Sequence, residues 1–196
     1  MPQTEMTCHS PATEQAPDGA TRIALIGSPN GGKTSIFNQL TGLHAKTGNY
    51  PGVTVSRSEG VARIHDHTFA IEDLPGTYSL SPISPDEQVV VDVLDGRMDQ
   101  VSAPDALVVV ADATALRRSL LLLAEVLPRH LPTAVVVTMT DELRRRQGSL
   151  DVTALSQALG VPVVAVVANR GIGIGELRNL LTTWHDWDRP PLDPPS

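Results

Sequence analysis

One short stretch constrains this chain more than any other feature of its sequence. Residues 27–34 read Gly-Ser-Pro-Asn-Gly-Gly-Lys-Thr and fit the pattern G-x-x-x-x-G-K-[ST]. Glycines allow the backbone to curl until successive N–H groups point at phosphate oxygens, and a following helix directs its positive N-terminus at the same anion. A β-prone apolar run, residues 22–26, precedes the motif, and a helical pattern, residues 33–40, follows it. The sequence therefore predicts a strand, a phosphate-binding loop and a helix in that order.

The polar groups of this loop have separate predicted roles toward a nucleotide. The ammonium group of Lys33 is expected to bridge the β- and γ-phosphates, and the hydroxyl of Thr34 is expected to ligate Mg²⁺. A glycine turn that lies beside a lysine by chance is the alternative, but the flanking strand and helix favour the phosphate site. The predicted nucleotide contacts at the loop are those of Asn30, Gly31, Gly32, Lys33, Thr34 and Ser35, the last at the α-phosphate.

A second motif, Asp-Leu-Pro-Gly at residues 73–76, follows a predicted strand at residues 68–72. The carboxylate of Asp73 then lies at the carboxyl end of that strand, where it could hold Mg²⁺ through water. The N–H of Gly76 could reach the γ-phosphate. An ordinary strand-ending turn is the alternative, but the order and distance after a phosphate-binding loop favour a nucleotide site.

Between the two motifs, residues 48–54 read Gly-Asn-Tyr-Pro-Gly-Val-Thr. Glycine, proline and asparagine favour irregular backbone, so the sequence predicts a mobile loop here. Such loops become ordered around a γ-phosphate and relax after its loss. Thr54 could therefore complete the Mg²⁺ shell when a triphosphate is bound, although by itself it is more readily read as a strand residue.

Strand-like and helix-like segments alternate along the chain, which is typical of an α/β sheet with right-handed crossovers. Three continuous apolar runs, residues 106–111, 134–138 and 161–167, are typical of parallel strands buried on both faces. We expect a three-layer fold with a mostly parallel sheet of six or seven strands flanked by helices. The other predicted strands lie at residues 22–26, 53–64 and 68–72, and the predicted helices at 33–40, 115–127, 152–159 and 175–184.

The composition limits the class of protein. A net charge of −7 argues against a nucleic-acid-binding protein with a broad basic face, and a single cysteine excludes an internal disulfide. No apolar run approaches the ~18 residues that span a bilayer, and no secretory signal is recognised, so we expect a cytoplasmic protein. The expected organisation is a flexible lead-in at residues 1–20, one domain at 21–184 and a proline-rich tail at 185–196.

Longer matching segments, residues 26–42, 48–55, 73–80 and 86–88, resemble the G domain of the FeoB family of ferrous-iron transport proteins. The resemblance covers roughly residues 22–181. It implies a Ras-like P-loop GTPase fold that binds GTP with Mg²⁺ and hydrolyses it slowly. It also implies stimulation by K⁺, with Asn30 as a ligand of that ion.

The resemblance has consequences for partners and location. Family members continue into a helical regulatory domain and a membrane permease domain, so these are the implied partners beside GTP and GDP. A homo-oligomer is left open. As part of a full-length transporter, the domain would lie at the cytoplasmic face of the inner membrane and regulate iron uptake.

Thr77 supports the expectation about K⁺ on chemical grounds. It follows residues 73–76, at the position where Ras-like enzymes carry the glutamine that orients the attacking water. Without that amide, a cation beside the β–γ bridge is a sensible source of charge stabilisation. The predicted catalytic groups are therefore Lys33, Asn30 and the amide of Gly76.

Two further segments are expected to contact the base, and both depart from the family pattern. Asp141, in the sequence Thr-Met-Thr-Asp at 138–141, could accept hydrogen bonds from N1–H and N2–H₂ of guanine, with helix capping as the alternative. Thr138 replaces the usual asparagine, which predicts weaker base binding with guanine still preferred. The N–H of Asn169 could meet guanine O6, whereas Ala168 lacks the hydroxyl found in the family. A nucleotide-sensing module with negligible hydrolysis and a P-loop ATPase with relaxed base specificity are the alternatives.

Overall fold

The computed structural model describes residues 16–17 and 19–187. The predicted lead-in and tail lie largely outside this range, so the domain boundaries remain a prediction. Among the described residues, no helix is both long and apolar enough to cross a membrane.

Seven strands form a single sheet in the order β2-β3-β4-β1-β5-β6-β7. Neighbouring strands from β4 across β1 to β7 run parallel, whereas β2, β3 and β4 pair antiparallel. The prediction of a mostly parallel six- or seven-stranded sheet is confirmed. The strands are β1 Thr21–Gly27, β2 Ala45–Asn49, β3 Ser56–Ile64, β4 His67–Asp73, β5 Ala106–Asp112, β6 Thr133–Thr138 and β7 Val163–Ala165.

Helices cover both faces of the sheet and complete three layers, as predicted. The apolar sides of α1 and α6 bury Phe37 and Leu177 on one face, and those of α2 and α3 bury Val90 and Leu122 on the other. Valine and leucine supply most of this core because the chain has few aromatic residues. The helices are α1 Lys33–Thr41, α2 Pro85–Leu94, α3 Leu116–Val126, α4 Thr140–Arg145, α5 Val152–Leu159 and α6 Ile174–Leu181.

The predicted mobile loop at residues 48–54 is wrong in its first two positions. Gly48 and Asn49 belong to β2, where they pair with Arg57 and Ser56 of β3. The strand is a mostly exposed edge, so its sequence lacks the apolar alternation that identifies a half-buried strand. The predicted strand at 53–64 is accordingly shorter and begins at Ser56.

The structure contains another element that the sequence analysis does not predict. Helix α2 begins after Ser84, whose hydroxyl accepts a hydrogen bond from the N–H of Glu87, and Pro85 occupies the first turn. Its valine-rich sequence is as compatible with a strand as with a buried helix. The capping hydroxyl and the proline are the signals that identify the helix. The segment between β4 and α2, residues 74–84, is called the β4–α2 segment below.

Candidate nucleotide-binding site

The glycine-rich motif connects β1, which ends at Gly27, to α1, which begins at Lys33. Gly32, the residue before α1, has a φ of 90°. Residues that carry a Cβ atom rarely adopt this backbone angle. Asn30 is exposed, with a φ of 62°. The strand, loop and helix therefore follow one another as the phosphate-loop motif requires.

Three predicted site residues meet at this loop. The ammonium group of Lys33 forms an ion pair with Oδ1 of Asp73, and the hydroxyl of Thr34 donates to Oδ2 of the same carboxylate at 2.8 Å. The side chains of Lys33 and Asp73 are each only 9% exposed. The parallel pairing of β1 with β4 causes this meeting, because it brings the carboxyl ends of both strands to one edge.

The oxygen donors at this point suit Mg²⁺, a hard cation that is commonly held by one or two protein oxygens together with phosphates and water. Thr34 and Asp73 supply a hydroxyl and a carboxylate. No group of three or more histidine, cysteine, aspartate or glutamate side chains capable of holding a metal occurs in the described part of the chain. The arrangement therefore fits a Mg²⁺ ion that depends on nucleotide phosphates for its other ligands.

The start of the β4–α2 segment lies on the phosphate loop. A Cβ atom added at Gly76 would stand only 2.9 Å from N and Cα of Pro29, so the two backbones are in close contact. Thr77 is fully buried, and its N–H donates to the carbonyl of Gly27 at 3.0 Å. Its hydroxyl donates to the carbonyl of Ser79 at 2.6 Å. The Thr77 side chain is thus engaged within its own segment.

The connection between β2 and β3 is attached to the site through Tyr50. This side chain is 1% exposed, and its hydroxyl donates to Oε1 of Glu72 at 2.8 Å, one residue before Asp73. Burial, together with the negative charge of Glu72, raises the pKa of Tyr50, so the hydroxyl remains a donor. Thr54 is exposed, and no hydrogen bond links it to Thr34 or Asp73 in the described structure.

Glu72 itself is not identified by the sequence analysis. It is 5% exposed and also accepts from Nε of Arg57 at 3.0 Å, while Arg22 contacts it at 3.4 Å. A charged residue at a buried strand position is the signal that could have indicated such a network, because buried carboxylates require partners. The network joins β1, β3 and β4 next to the predicted metal site.

Near the residues predicted to contact the base, Thr138 packs against the phosphate loop, and the sequence pattern does not indicate this contact. It is 3% exposed at the end of β6, and its hydroxyl lies 2.7 Å from the carbonyl oxygen of Gly31 and 3.3 Å from that of Ala111. A Cβ atom at Gly32 would approach its methyl group to 3.3 Å. Thr138 therefore supports the phosphate loop from behind.

Replacing Thr138 by valine should destabilise the phosphate loop without changing the volume of the side chain. The Gly31 carbonyl would lose its buried donor, at a cost of about 1–3 kcal/mol. We expect a matching decrease in the free energy of unfolding in urea and a weaker affinity for GDP. The control is Thr182→Val, since Thr182 is the C-cap residue that directly follows α6 and its hydroxyl bonds locally to the carbonyl of Asn179. Equal effects of the two substitutions would contradict this role.

Asp141 lies in the first turn of α4, but it does not cap the helix. Met139 is the N-cap residue, with a φ of 57° and no side-chain capping bond. The Asp141 side chain is 26% exposed and contacts Arg145 at 3.4 Å. The capping alternative is thus not supported, and the carboxylate remains accessible to a ligand.

Ala168 and Asn169, the remaining residues predicted to contact the base, line the same cavity as Ser35, which is predicted to contact the α-phosphate. Ser35, Leu43, Ala168 and Asn169 all lie along this cavity, at the junction of α1 with the 3-10 turn at Ala168–Arg170. Gln39, which the sequence analysis does not select, donates from Nε2 to the carbonyl of Ala168 at 2.9 Å. Residues separated by more than 130 positions in the chain therefore share one open cavity.

Comparisons with known proteins identify relatives of this chain in sequence and in fold. Residues 21–181 match the family model described as ferrous iron transport protein B. The chain is 42% identical over 174 residues to an Fe(2+) transport protein A/Fe(2+) transporter FeoB fusion protein of Porphyromonas gingivalis, covering 88% of this chain and 20% of the relative. It is 45% identical over 161 residues to the Fe(2+) transporter FeoB of Salmonella typhimurium, covering 80% and 20% respectively.

Solved structures give the same result for the fold. The G domain of the T. maritima FeoB iron transporter superposes with a TM-score of 0.76 at 37% identity, covering 85% of this chain and 99% of that domain. The chain spans only about a fifth of the length of the curated relatives described above. The resemblance inferred from the sequence is confirmed: the chain belongs to the ferrous iron transport protein B family and has the P-loop GTPase fold of its G domain.

Proposed function

We propose that this domain binds GTP with Mg²⁺, hydrolyses it slowly to GDP and phosphate, and acts as a switch in iron uptake. The supporting observation is the convergence of Lys33, Thr34 and Asp73 at the end of a glycine-rich loop. Lys33 would exchange its contact with Asp73 for the β- and γ-phosphates, and Asp73 would then support Mg²⁺ from the outer shell. Thr34, joined by Thr54 when GTP is bound, would ligate the ion.

In the proposed reaction, a water oxygen attacks the γ-phosphorus and the bond to the β–γ bridging oxygen breaks. GDP leaves with the electron pair, and the proton of the attacking water passes to the phosphate product. Lys33 and the loop amides would stabilise the charge that develops on the phosphates, and the N–H of Gly76 would sense the γ-phosphate. Bound Mg²⁺ would supply further charge neutralisation.

Guanine recognition is proposed for Asp141, with the amide of Asn169 at O6 and Ser35 at the α-phosphate. The family relationship supports a helical regulatory domain and a membrane permease as partners in a longer protein. In that protein the domain would work at the cytoplasmic face of the inner membrane. The direct test of hydrolysis is phosphate release from GTP, measured against a Lys33→Ala control.

We predict that K⁺ accelerates this hydrolysis relative to Na⁺, with the side-chain oxygen of Asn30 as a ligand. The matched variant is Asn30→Gly, because glycine retains the left-handed backbone at φ 62° while the ligand oxygen is removed. Phosphate release by the parent chain should be several-fold faster in K⁺, and the variant should lose most of that difference. Equal turnover of the parent chain in the two salts would contradict the prediction.

A nucleotide-sensing module with negligible hydrolysis is the second candidate. The observation that favours it is the complete burial of Thr77, whose hydroxyl bonds to Ser79 and offers no group to orient water. Phosphate release that does not exceed the Lys33→Ala background, together with intact GTP binding, would establish this alternative.

A further inference from the structure

The carboxylate of Glu125 on α3 binds two groups of the β4–α2 segment. The hydroxyl of Ser79 lies 2.9 Å from Oε2 and 3.1 Å from Oε1 of Glu125, and the N–H of Leu80 donates to Oε2 at 2.5 Å. The attachment joins positions 45 and 46 residues apart in sequence, so it reflects tertiary packing and not local turn chemistry. Hydrogen bonds to an ionised acceptor are among the stronger ones in proteins.

A second contact reinforces this attachment. The guanidinium carbon of Arg118 lies 4.8 Å from the ring centroid of Tyr78, within the range of a cation–π interaction. Arg118 and Glu125 are seven residues apart on α3, which places them on the same face of the helix. This face therefore holds three consecutive residues of the segment, 78–80.

The attached segment is the one that presses on the phosphate loop. The position of Gly76 against Pro29 leaves no room even for a methyl group, since an added Cβ would lie at 2.9 Å. The same conformation leaves Thr54 exposed, with no hydrogen bond to Thr34 or Asp73 among the described residues. The proposed GTP-bound arrangement, with Thr54 beside Thr34 at Mg²⁺ and the amide of Gly76 at the γ-phosphate, therefore differs from the described one. A shift of Gly76 toward that arrangement would carry residues 78–80 with it, within three positions of the chain.

We propose that Glu125 is a positioning residue that holds the β4–α2 segment against the phosphate loop and thereby favours GDP over GTP. This proposal rests on the proposed function. A ligand shifts a conformational equilibrium only by its different affinity for the two conformations. Contacts that exist only in the held conformation consequently oppose GTP and leave GDP affinity nearly unchanged.

The test compares the affinities of the parent chain, Glu125→Ala and Glu125→Gln for GDP and for a non-hydrolysable GTP analogue, each by calorimetry with Mg²⁺. Glu125→Ala should raise the ratio of GTP-analogue affinity to GDP affinity at least five-fold. Glu125→Gln retains an acceptor oxygen and should give a smaller increase. The control is Asp66→Ala, which removes a carboxylate from the exposed β3–β4 turn at the opposite edge of the sheet and should leave the ratio unchanged.

Ser79→Ala approaches the same contact from the other side and should shift the ratio in the same direction. If circular dichroism shows that Glu125→Ala is unfolded, the affinity ratio measured for Ser79→Ala serves as the test instead. An unchanged ratio in folded Glu125 and Ser79 variants, with nucleotide binding by the parent chain intact, would overturn the role of Glu125 alone. If the parent chain binds neither nucleotide, the proposed function fails and this proposal fails with it.

Discussion

Replacing Lys33 by alanine is expected to weaken GDP binding roughly 10–100-fold and to remove phosphate release from GTP. The ammonium group is the buried cation at the end of the loop, and charged hydrogen bonds contribute about 1.5–3 kcal/mol each. GDP offers only the β-phosphate of the two phosphates that Lys33 is expected to bridge, so the lost contact of about 1.5–3 kcal/mol corresponds to roughly 10–100-fold in affinity. Fluorescence titration with a labelled GDP, together with a phosphate-release assay, measures both effects.

The control for this substitution is the other lysine of the chain, Lys46, which is exposed on the edge strand β2. Lys46→Ala should leave both measurements within about two-fold. Because Lys33 also pairs with Asp73, thermal unfolding of the variant must be recorded. A folded Lys33→Ala protein with unchanged GDP affinity would show that the loop does not hold phosphates.

Replacing Asp141 by alanine should lower the affinity for GDP by roughly 100-fold or more and leave the weaker affinity for ADP unchanged. The carboxylate would accept from two donors of guanine, N1–H and N2–H₂, and a charged hydrogen bond contributes about 1.5–3 kcal/mol. Adenine offers no equivalent donor pair. Competition between labelled GDP and unlabelled GDP or ADP measures the two affinities.

Glu142 offers a matched control for Asp141, as the next acidic residue in the same first turn of α4. Its carboxylate contacts Arg145 and Arg146, so Glu142→Ala tests the loss of a helix-surface charge. We expect it to change GDP affinity less than two-fold. If both substitutions weaken GDP and ADP equally, Asp141 serves α4 and does not recognise the base.

The alternating order of strands and helices could be predicted because continuous apolar runs identify strands buried on both faces. Strands β5 and β6 are examples, with nearly every position buried. The edge strand β2 could not be predicted in this way, since its polar residues face solvent and its pairing with β3 is the only evidence of its structure. Helix α2 could not be predicted because valine-rich segments do not distinguish helix from strand.

The site likewise contains some contacts that could be predicted from the sequence and others that could not. The motifs at residues 27–34 and 73–76 carry their chemistry in adjacent residues, and the structure brings Lys33 and Asp73 together. The supporting contacts depend on how distant segments pack. Thr138 reaches Gly31 across β5, and Glu125 reaches Ser79 from the next layer. No local pattern in the sequence indicates either contact.

The most direct test of this account is calorimetric titration of the parent chain with GDP and with ADP, in the presence of Mg²⁺. We predict saturable binding of one GDP per chain, with an affinity well above that for ADP because Asp141 accepts only from guanine. Absence of binding to either nucleotide, or tighter binding of ADP, would contradict the assignment of the loop ending at Lys33 as a guanine-nucleotide site.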